Sequence, residues 1–139
     1  MLRIKLLMVG RSKEPWIDSG VLEFERRMSS TLQLSTEWLK DDQQLVQQIG
    51  KEDKVVCLDP NGKTYTSEEF AKSLSKWLED GGSRLTLVIG GAEGLPQSLK
   101  RYPLLSLSSL TYTHQMCRLI LAEQLYRATE IWRGSPYHK

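Results

Sequence analysis

Cysteine and histidine are scarce in this chain of 139 residues, with two of each and no pair at ligand spacing. Cys57 and Cys117 lie in apolar stretches. That marks them as buried free thiols of a reducing compartment and sets aside a cystine scaffold. Two distant histidines, His114 and His138, build no metal site with such thiols. No run approaches the roughly 20 apolar residues of a membrane span. The opening Met1–Gly10 is too short and too charged for a signal peptide and reads as a buried strand. These absences predict a cytoplasmic protein, or an organellar one if a transit peptide has been removed, with neither membrane nor metal as partner. Phosphate motifs are missing too. Val9-Gly10-Arg11-Ser12 has one glycine where G-x-G-x-x-G is needed, and nothing carries the Lys-Ser/Thr sequel of a P-loop. A Rossmann-type dinucleotide enzyme or methyltransferase is therefore disfavoured.

What is present fits one globular domain spanning residues 1–139. A chain of this length buries roughly 68% of its unfolded surface, so it needs no staple. Net charge is only +2, but it is unevenly spread. Residues 1–80 hold 12 basic and 14 acidic side chains, whereas residues 81–139 hold 7 basic and 3 acidic ones. The basic end either favours an anionic partner or reflects chance.

Apolar runs alternate with helical periods. The pattern predicts strands at Ile4–Val9, Gln33–Leu39, Lys54–Leu58, Leu85–Ile89 and Leu104–Leu107. The third is closed by the turn Asp59-Pro60-Asn61-Gly62. Helices are predicted over Trp16–Met28, Asp41–Gly50, a stretch capped by Thr66 with Glu69 in capping-box position, Pro96–Arg101, and His114–Arg133. This order argues an α/β fold with a parallel or mostly parallel sheet covered on both faces.

Ligands of such sheets bind outside the carboxyl ends of strands. Three loops qualify: Leu58–Gly62, Gly90–Gly94 and Ser108–Thr113. Gly90 and Gly91 let backbone approach a ligand, or simply make a tight strand-to-helix turn. Backbone groups and the hydroxyls of Ser108, Ser109, Thr111 and Thr113 suit a neutral purine and ribose rather than a triphosphate. His114 opens the last helix, which Thr113 or His114 caps, and has either that structural role or a chemical one; Cys117, one turn on, is a core thiol or a nucleophile. Glu123 and Arg127 form an i,i+4 pair, either a surface contact or a device that positions Arg127. Trp132, Pro136 and Tyr137 so close to His138 suggest an ordered tail.

Several of these motifs recur together in one family. They are Val88-Ile89-Gly90-Gly91-Ala92-Glu93-Gly94-Leu95, Leu105-Ser106-Leu107-Ser108-Ser109-Leu110-Thr111, His114-Gln115-Met116-x-Arg118, Glu123-Gln124-x-Tyr126-Arg127-Ala128 and Arg133-Gly134-x-Pro136-Tyr137-His138-Lys139. Together they resemble the small bacterial and organellar RlmH (YbeA-type) rRNA methyltransferases of the SPOUT superfamily, over essentially the whole chain. The resemblance implies a SPOUT-type α/β trefoil knot, one of the exceptions to unthreaded connections, and a homodimer binding S-adenosylmethionine. It implies methylation at N3 of a pseudouridine in large-subunit (23S-type) rRNA on the assembled ribosome. The implied cofactor contacts are Leu58, Gly90, Gly91 and the loop Ser108, Ser109, Leu110, Thr111, Tyr112 and Thr113. It implies that Tyr137 and His138 close the active site, completed across the dimer interface. An unperturbed imidazole pKa of about 6.5 makes His138 the candidate base for the N3 proton, and Arg127, Arg118 or Arg133 would face charge on the base or hold a phosphate.

Two departures stand out. The segment before Lys54 is shorter than in the family, and Thr113 replaces the usual proline ahead of the histidine. The rival expectations are a non-catalytic, ribosome-associated dimer of the same fold and a free-nucleotide enzyme of ordinary doubly wound topology.

Overall fold

The computed structural model describes residues 1–138; Lys139, the last residue of the terminal motif, lies outside the described residues. Alternation becomes β1 (Leu2–Val9), α1 (Pro15–Met28), β2 (Leu32–Leu39), α2 (Asp42–Ile49), β3 (Val55–Thr64), α3 (Ser67–Asp80), β4 (Arg84–Ile89), β5 (Leu104–Ser106) and α4 (His114–Arg133). The five strands form one sheet in the order β2-β1-β4-β3-β5, every pair parallel. All carboxyl ends therefore open on one edge of the sheet, where the loops carrying the predicted site residues lie.

Side chains alternate between the two faces, as the strand period of two requires. Ile4, Leu6 and Met8 of β1, Val56 and Leu58 of β3, and Leu85, Leu87 and Ile89 of β4 point into the larger core, beneath α1, α3 and α4. Leu7, Val55, Cys57 and Val88 point the other way and meet Leu45 and Ile49 of α2 and Leu99. Continuous apolar runs in β1 and β4 are thus the signature of a sheet buried twice. Each fully buried leucine contributes about 1.5–3 kcal/mol.

Helix ends follow local chemistry. Thr66 Oγ1 accepts the Glu69 N–H while the Glu69 carboxylate accepts the Thr66 N–H, at 3.1 and 2.8 Å. Thr113 caps α4 by accepting the Met116 N–H at 3.2 Å.

The sequence reading of β3 needs correction. Asp59-Pro60-Asn61-Gly62 does not end the strand: Leu58 and Lys63 both pair with Leu105, and Thr64 with Ser106. Residues 59–62 bulge out of a ladder that resumes. The Asp59 carboxylate accepts the Asn61 N–H at 2.8 Å, and Gly62 lies so close that a Cβ would sit 2.6 Å from the carbonyl carbon of Leu104. The turn residues are real, but they serve a bulge. The helix expected over Pro96–Arg101 is a single 3-10 turn at Gln97–Leu99, and β5 stops at Ser106.

Candidate active site

A cavity of about 150 Å³ opens where β3, β4 and β5 end. Its walls are largely apolar, from Leu58, Ile89, Leu95, Leu105, Leu107 and Leu110, with hydroxyls of Ser106, Ser108, Thr111 and Tyr112 between them. Among the described residues of the lining Asp59 is the acidic one, and its carboxylate is paired with Lys100 Nζ at 3.8 Å. Such a largely apolar cleft suits an uncharged nucleoside. Of the predicted ligand residues, the structure brings Leu58, Gly90, Ser108, Leu110, Thr111 and Tyr112 into this lining, and leaves Gly91, Ser109 and Thr113 out of it. His114 and Cys117 also line the cleft. Burial, and then the charge of Lys13, lower the His114 pKa, and burial raises that of the Cys117 thiol.

The glycines have reasons other than ligand approach. A Cβ at Gly90 would fall 2.5 Å from the Gly94 carbonyl carbon and oxygen, because residues 90–94 fold back tightly with the Gly94 N–H on the Gly91 carbonyl at 2.9 Å. Gly94 itself holds φ +91°, which L side chains rarely adopt. Gly91 has ordinary space, 3.6 Å from the Val9 side chain.

A second cluster forms at the chain end. Gly134 terminates α4 at φ +68°, and the Ser135 N–H bonds to the Glu130 carbonyl at 3.0 Å, so the tail turns back along the helix. The Tyr137 hydroxyl then donates to Glu123 Oε2 at 2.8 Å, and Arg127 Nη2 reaches the same oxygen at 3.0 Å. Arg127 Nη1 stands 3.0 Å from His138 Nδ1. A guanidinium can only donate, so Nδ1 accepts and the ring proton sits on Nε2. That N–H donates to Glu68 Oε1 at 2.5 Å. The guanidinium also covers the Tyr137 ring at 4.9 Å, and that ring meets Tyr126 edge-on at 4.7 Å. Burial, then the bond to Glu123, raise the Tyr137 pKa, and the bond from His138 lowers that of Glu68.

The tail and the cleft are separate in one chain: Arg127, Tyr137 and His138 do not line the cavity. Between them lies a hollow of about 260 Å³ that shares Leu105–Ser108 and Tyr112 with the cleft and reaches Ser67 and Gln124. Ser67 Oγ donates to Gln124 Oε1 at 2.8 Å, tying α3 to α4 there.

Sequence reasoning missed Glu68; it had Asp59 only as part of the Leu58–Gly62 loop and His114 without its place in the cleft wall. Glu68 had no local signal, since it lies 70 residues from His138. Arg118, one of the three arginines considered for charge on the base, is instead buried, paired with Asp18 at 2.6 Å and placed over Trp38 at 5.4 Å.

A parallel sheet with a largely apolar cleft at its carboxyl edge defines a class: α/β proteins whose ligand site is built from strand-end loops. Within that class the chain belongs to the SPOUT methyltransferase family, whose description, "Predicted SPOUT methyltransferase", it matches over residues 2–138. It is 53% identical over 140 residues to a protein of Protochlamydia amoebophila named Ribosomal RNA large subunit methyltransferase H, covering 100% of both chains. A protein of the same name from Halothermothrix orenii is 38% identical over 159 residues, covering 99% of this chain and 100% of its own. Among solved structures, a methylase-family protein from Neisseria gonorrhoeae superposes at TM-score 0.55 with 11% identity, over 91% of this chain and 83% of that one. A protein from Legionella pneumophila described as a methyltransferase, with the cofactor SAM bound, reaches 0.52 at 14% identity, over 92% and 66%. These two likenesses concern the fold.

Proposed function

We propose that the chain is an S-adenosylmethionine-dependent methyltransferase acting at N3 of a pseudouridine in large-subunit rRNA on the assembled ribosome, in the cytoplasm. The end-to-end identity of 53% to the Protochlamydia relative carries this reading. The cleft agrees with it, because a largely apolar lining with interspersed hydroxyls and backbone groups accepts an adenosine. Leu58, Gly90, Ser108, Leu110, Thr111 and Tyr112 would hold the cofactor there. Bound S-adenosylmethionine supplies a methyl group already activated by positive sulfur. The chain's own task is then to place the base in line and remove one proton.

His138 takes that proton from N3. The neutral ring has one lone pair, at Nδ1, and Arg127 engages it. When Arg127 turns Nη1 to a carbonyl oxygen of the pyrimidine, it frees Nδ1 and faces the charge that develops on the base. Tyr137, anchored on Glu123, holds the tail in place along α4.

In this reading the protein is a homodimer of trefoil-knotted chains. The tail residues line neither the cleft nor the neighbouring hollow, so a second copy's tail closing over the cleft supplies what one chain keeps apart. Leu110, on the cleft rim, is 72% exposed, and Trp16 is 57% exposed, as uncovered contact surface would be.

The test is transfer of labelled methyl from S-adenosylmethionine to unmethylated ribosomes, with the modified base mapped and the oligomer measured by sedimentation. Label at N3 of a large-subunit pseudouridine is expected. No label beside an active control enzyme on the same ribosomes replaces this reading with the non-catalytic ribosome-associated dimer.

A further inference from the structure

We propose that Glu68 is a positioning residue for His138, fixing which ring nitrogen is basic by accepting the Nε2–H. The proposal rests on the function given above and names a residue that neither the sequence motifs nor the proposed cofactor site contains.

The argument starts from donors and acceptors. His138 meets two groups of opposite kind, from different helices. Arg127 of α4 presents an N–H at 3.0 Å to Nδ1, and Glu68, in the first turn of α3, presents a carboxylate oxygen at 2.5 Å to Nε2. Guanidinium has no acceptor and carboxylate has no proton near neutrality, so only the Nε2–H tautomer satisfies both contacts. Reversing the tautomer would set N–H against N–H on one side and lone pair against carboxylate on the other.

The two contacts are not equivalent during a reaction. Arg127 has other N–H groups and a carboxylate of its own, Glu123, so it can turn Nη1 away and stay anchored. Glu68 makes no salt bridge other than that to His138 among the described residues. It stays, and so the nitrogen freed is always Nδ1. When Nδ1 accepts the N3 proton, the ring becomes an imidazolium already hydrogen-bonded to a carboxylate. This is the logic by which an acidic partner fixes the tautomer of a catalytic histidine and supports its charged form.

The local fold supplies the placement. Thr66 and Glu69 form the capping box that starts α3, and Glu68 lies between them in the first turn of that helix. Trp132 Nε1 donates to the Ala71 carbonyl at 2.9 Å and ties the end of α4 to α3, one turn from Glu68. The tail therefore returns to a carboxylate whose position relative to α4 is fixed.

The experiment uses the full-length, 15N-labelled protein. Long-range nitrogen–proton correlation of the imidazoles reports tautomers directly, and with two histidines His138→Gln assigns the signals. The expected wild-type His138 is the Nε2–H form. In Glu68→Ala the ring becomes a mixture of tautomers, and kcat for ribosome methylation falls about tenfold to a hundredfold, while the Kd for S-adenosylmethionine is unchanged. Glu68→Gln, whose amide oxygen still accepts the N–H, keeps the tautomer and recovers most of the rate. An unchanged ring spectrum in Glu68→Ala overturns the proposal, and so does a changed spectrum with full kcat. If the wild-type protein methylates nothing, the proposed function fails separately, and the ring spectra still decide whether Glu68 orients His138.

Discussion

Replacing Gly90 by alanine tests whether chain-on-chain packing sets the cleft wall. An ideal Cβ there falls 2.5 Å from the carbonyl carbon and oxygen of Gly94 and 2.7 Å from the Leu95 nitrogen, nearer than real Cβ contacts come. All three are backbone atoms, so no rotamer relieves the clash and the turn over residues 91–94 has to move. Overpacking of this kind costs about 1–3 kcal/mol. For a chain of this size that lowers the melting midpoint by roughly 3–15 °C. Gly91→Ala is the matched control: its Cβ meets Val9 at an ordinary 3.6 Å, and its φ is not in the left-handed region. Removing a glycine from the unfolded chain stabilises by about 0.4–1 kcal/mol, so this variant melts with the wild type or slightly above it. Thermal melts and calorimetric titration with S-adenosylmethionine decide the matter. Gly90→Ala is expected to lose both stability and ligand affinity. Gly91→Ala keeps its stability, and its affinity reports separately whether a ligand presses on that backbone. A Gly90→Ala protein that melts with the wild type refutes the packing argument.

Three further outcomes follow from other parts of the molecule. Asp18 has a lowered pKa, from its Ser12 hydrogen bond first and then from Arg118. Its contribution to stability is therefore present above the ordinary carboxylate pKa of about 3.9 and lost as pH falls through the lower folded value. Asp18→Asn, leaving a buried guanidinium without its counter-charge, costs about 1–2 kcal/mol at neutral pH, and denaturant titrations should find that difference vanishing in acid; a difference constant with pH contradicts the pair's role. Cys117, in the cleft wall with its thiol pKa raised by burial, should react slowly with iodoacetamide at neutral pH and more slowly with S-adenosylmethionine present, followed by mass spectrometry; equal rates with and without cofactor would place the ligand elsewhere. Naked large-subunit rRNA should be a far poorer substrate than ribosomes, since a net charge of +2 is low for gripping bare RNA; comparable methylation rates on both would refute this.

Local chemistry was legible in the sequence, and long-range pairing was not. The capping box at Thr66 and Glu69, the Thr113 cap and the twice-buried strands were readable because each depends on residues a few positions apart. Asp59-Pro60-Asn61-Gly62 was read as a turn, and turn chemistry is there, but whether a strand resumes afterwards depends on Leu105, more than forty residues on. Gly90 was read as serving either ligand approach or a tight turn; the turn is there, with Gly94 four residues later as the close neighbour, and Gly90 also lines the cleft. The order of the tail was suggested by its aromatic residues, but its partners were only half visible. Glu123 and Arg127 share a helix face at i,i+4 spacing, whereas Glu68 comes from another helix altogether.

The charge count of the tail cluster explains why its partners matter as much as its named residues. Among the described groups, Arg127 carries one positive charge, Glu123 and Glu68 carry two negative ones, and His138 is neutral in the tautomer that the contacts require. The cluster is thus one charge short of neutrality, and a proton on His138 makes up the difference. Had Arg127 faced only His138, its charge would oppose an imidazolium beside it. Glu123 offsets that charge on one side, and Glu68 stabilises the protonated ring on the other. The same arginine remains free to meet negative charge on a pyrimidine oxygen once Nδ1 is protonated, because imidazolium no longer offers it an acceptor. In the proposed mechanism, proton uptake at His138 and release of Arg127 toward the base are therefore one coupled event whose direction the two carboxylates set.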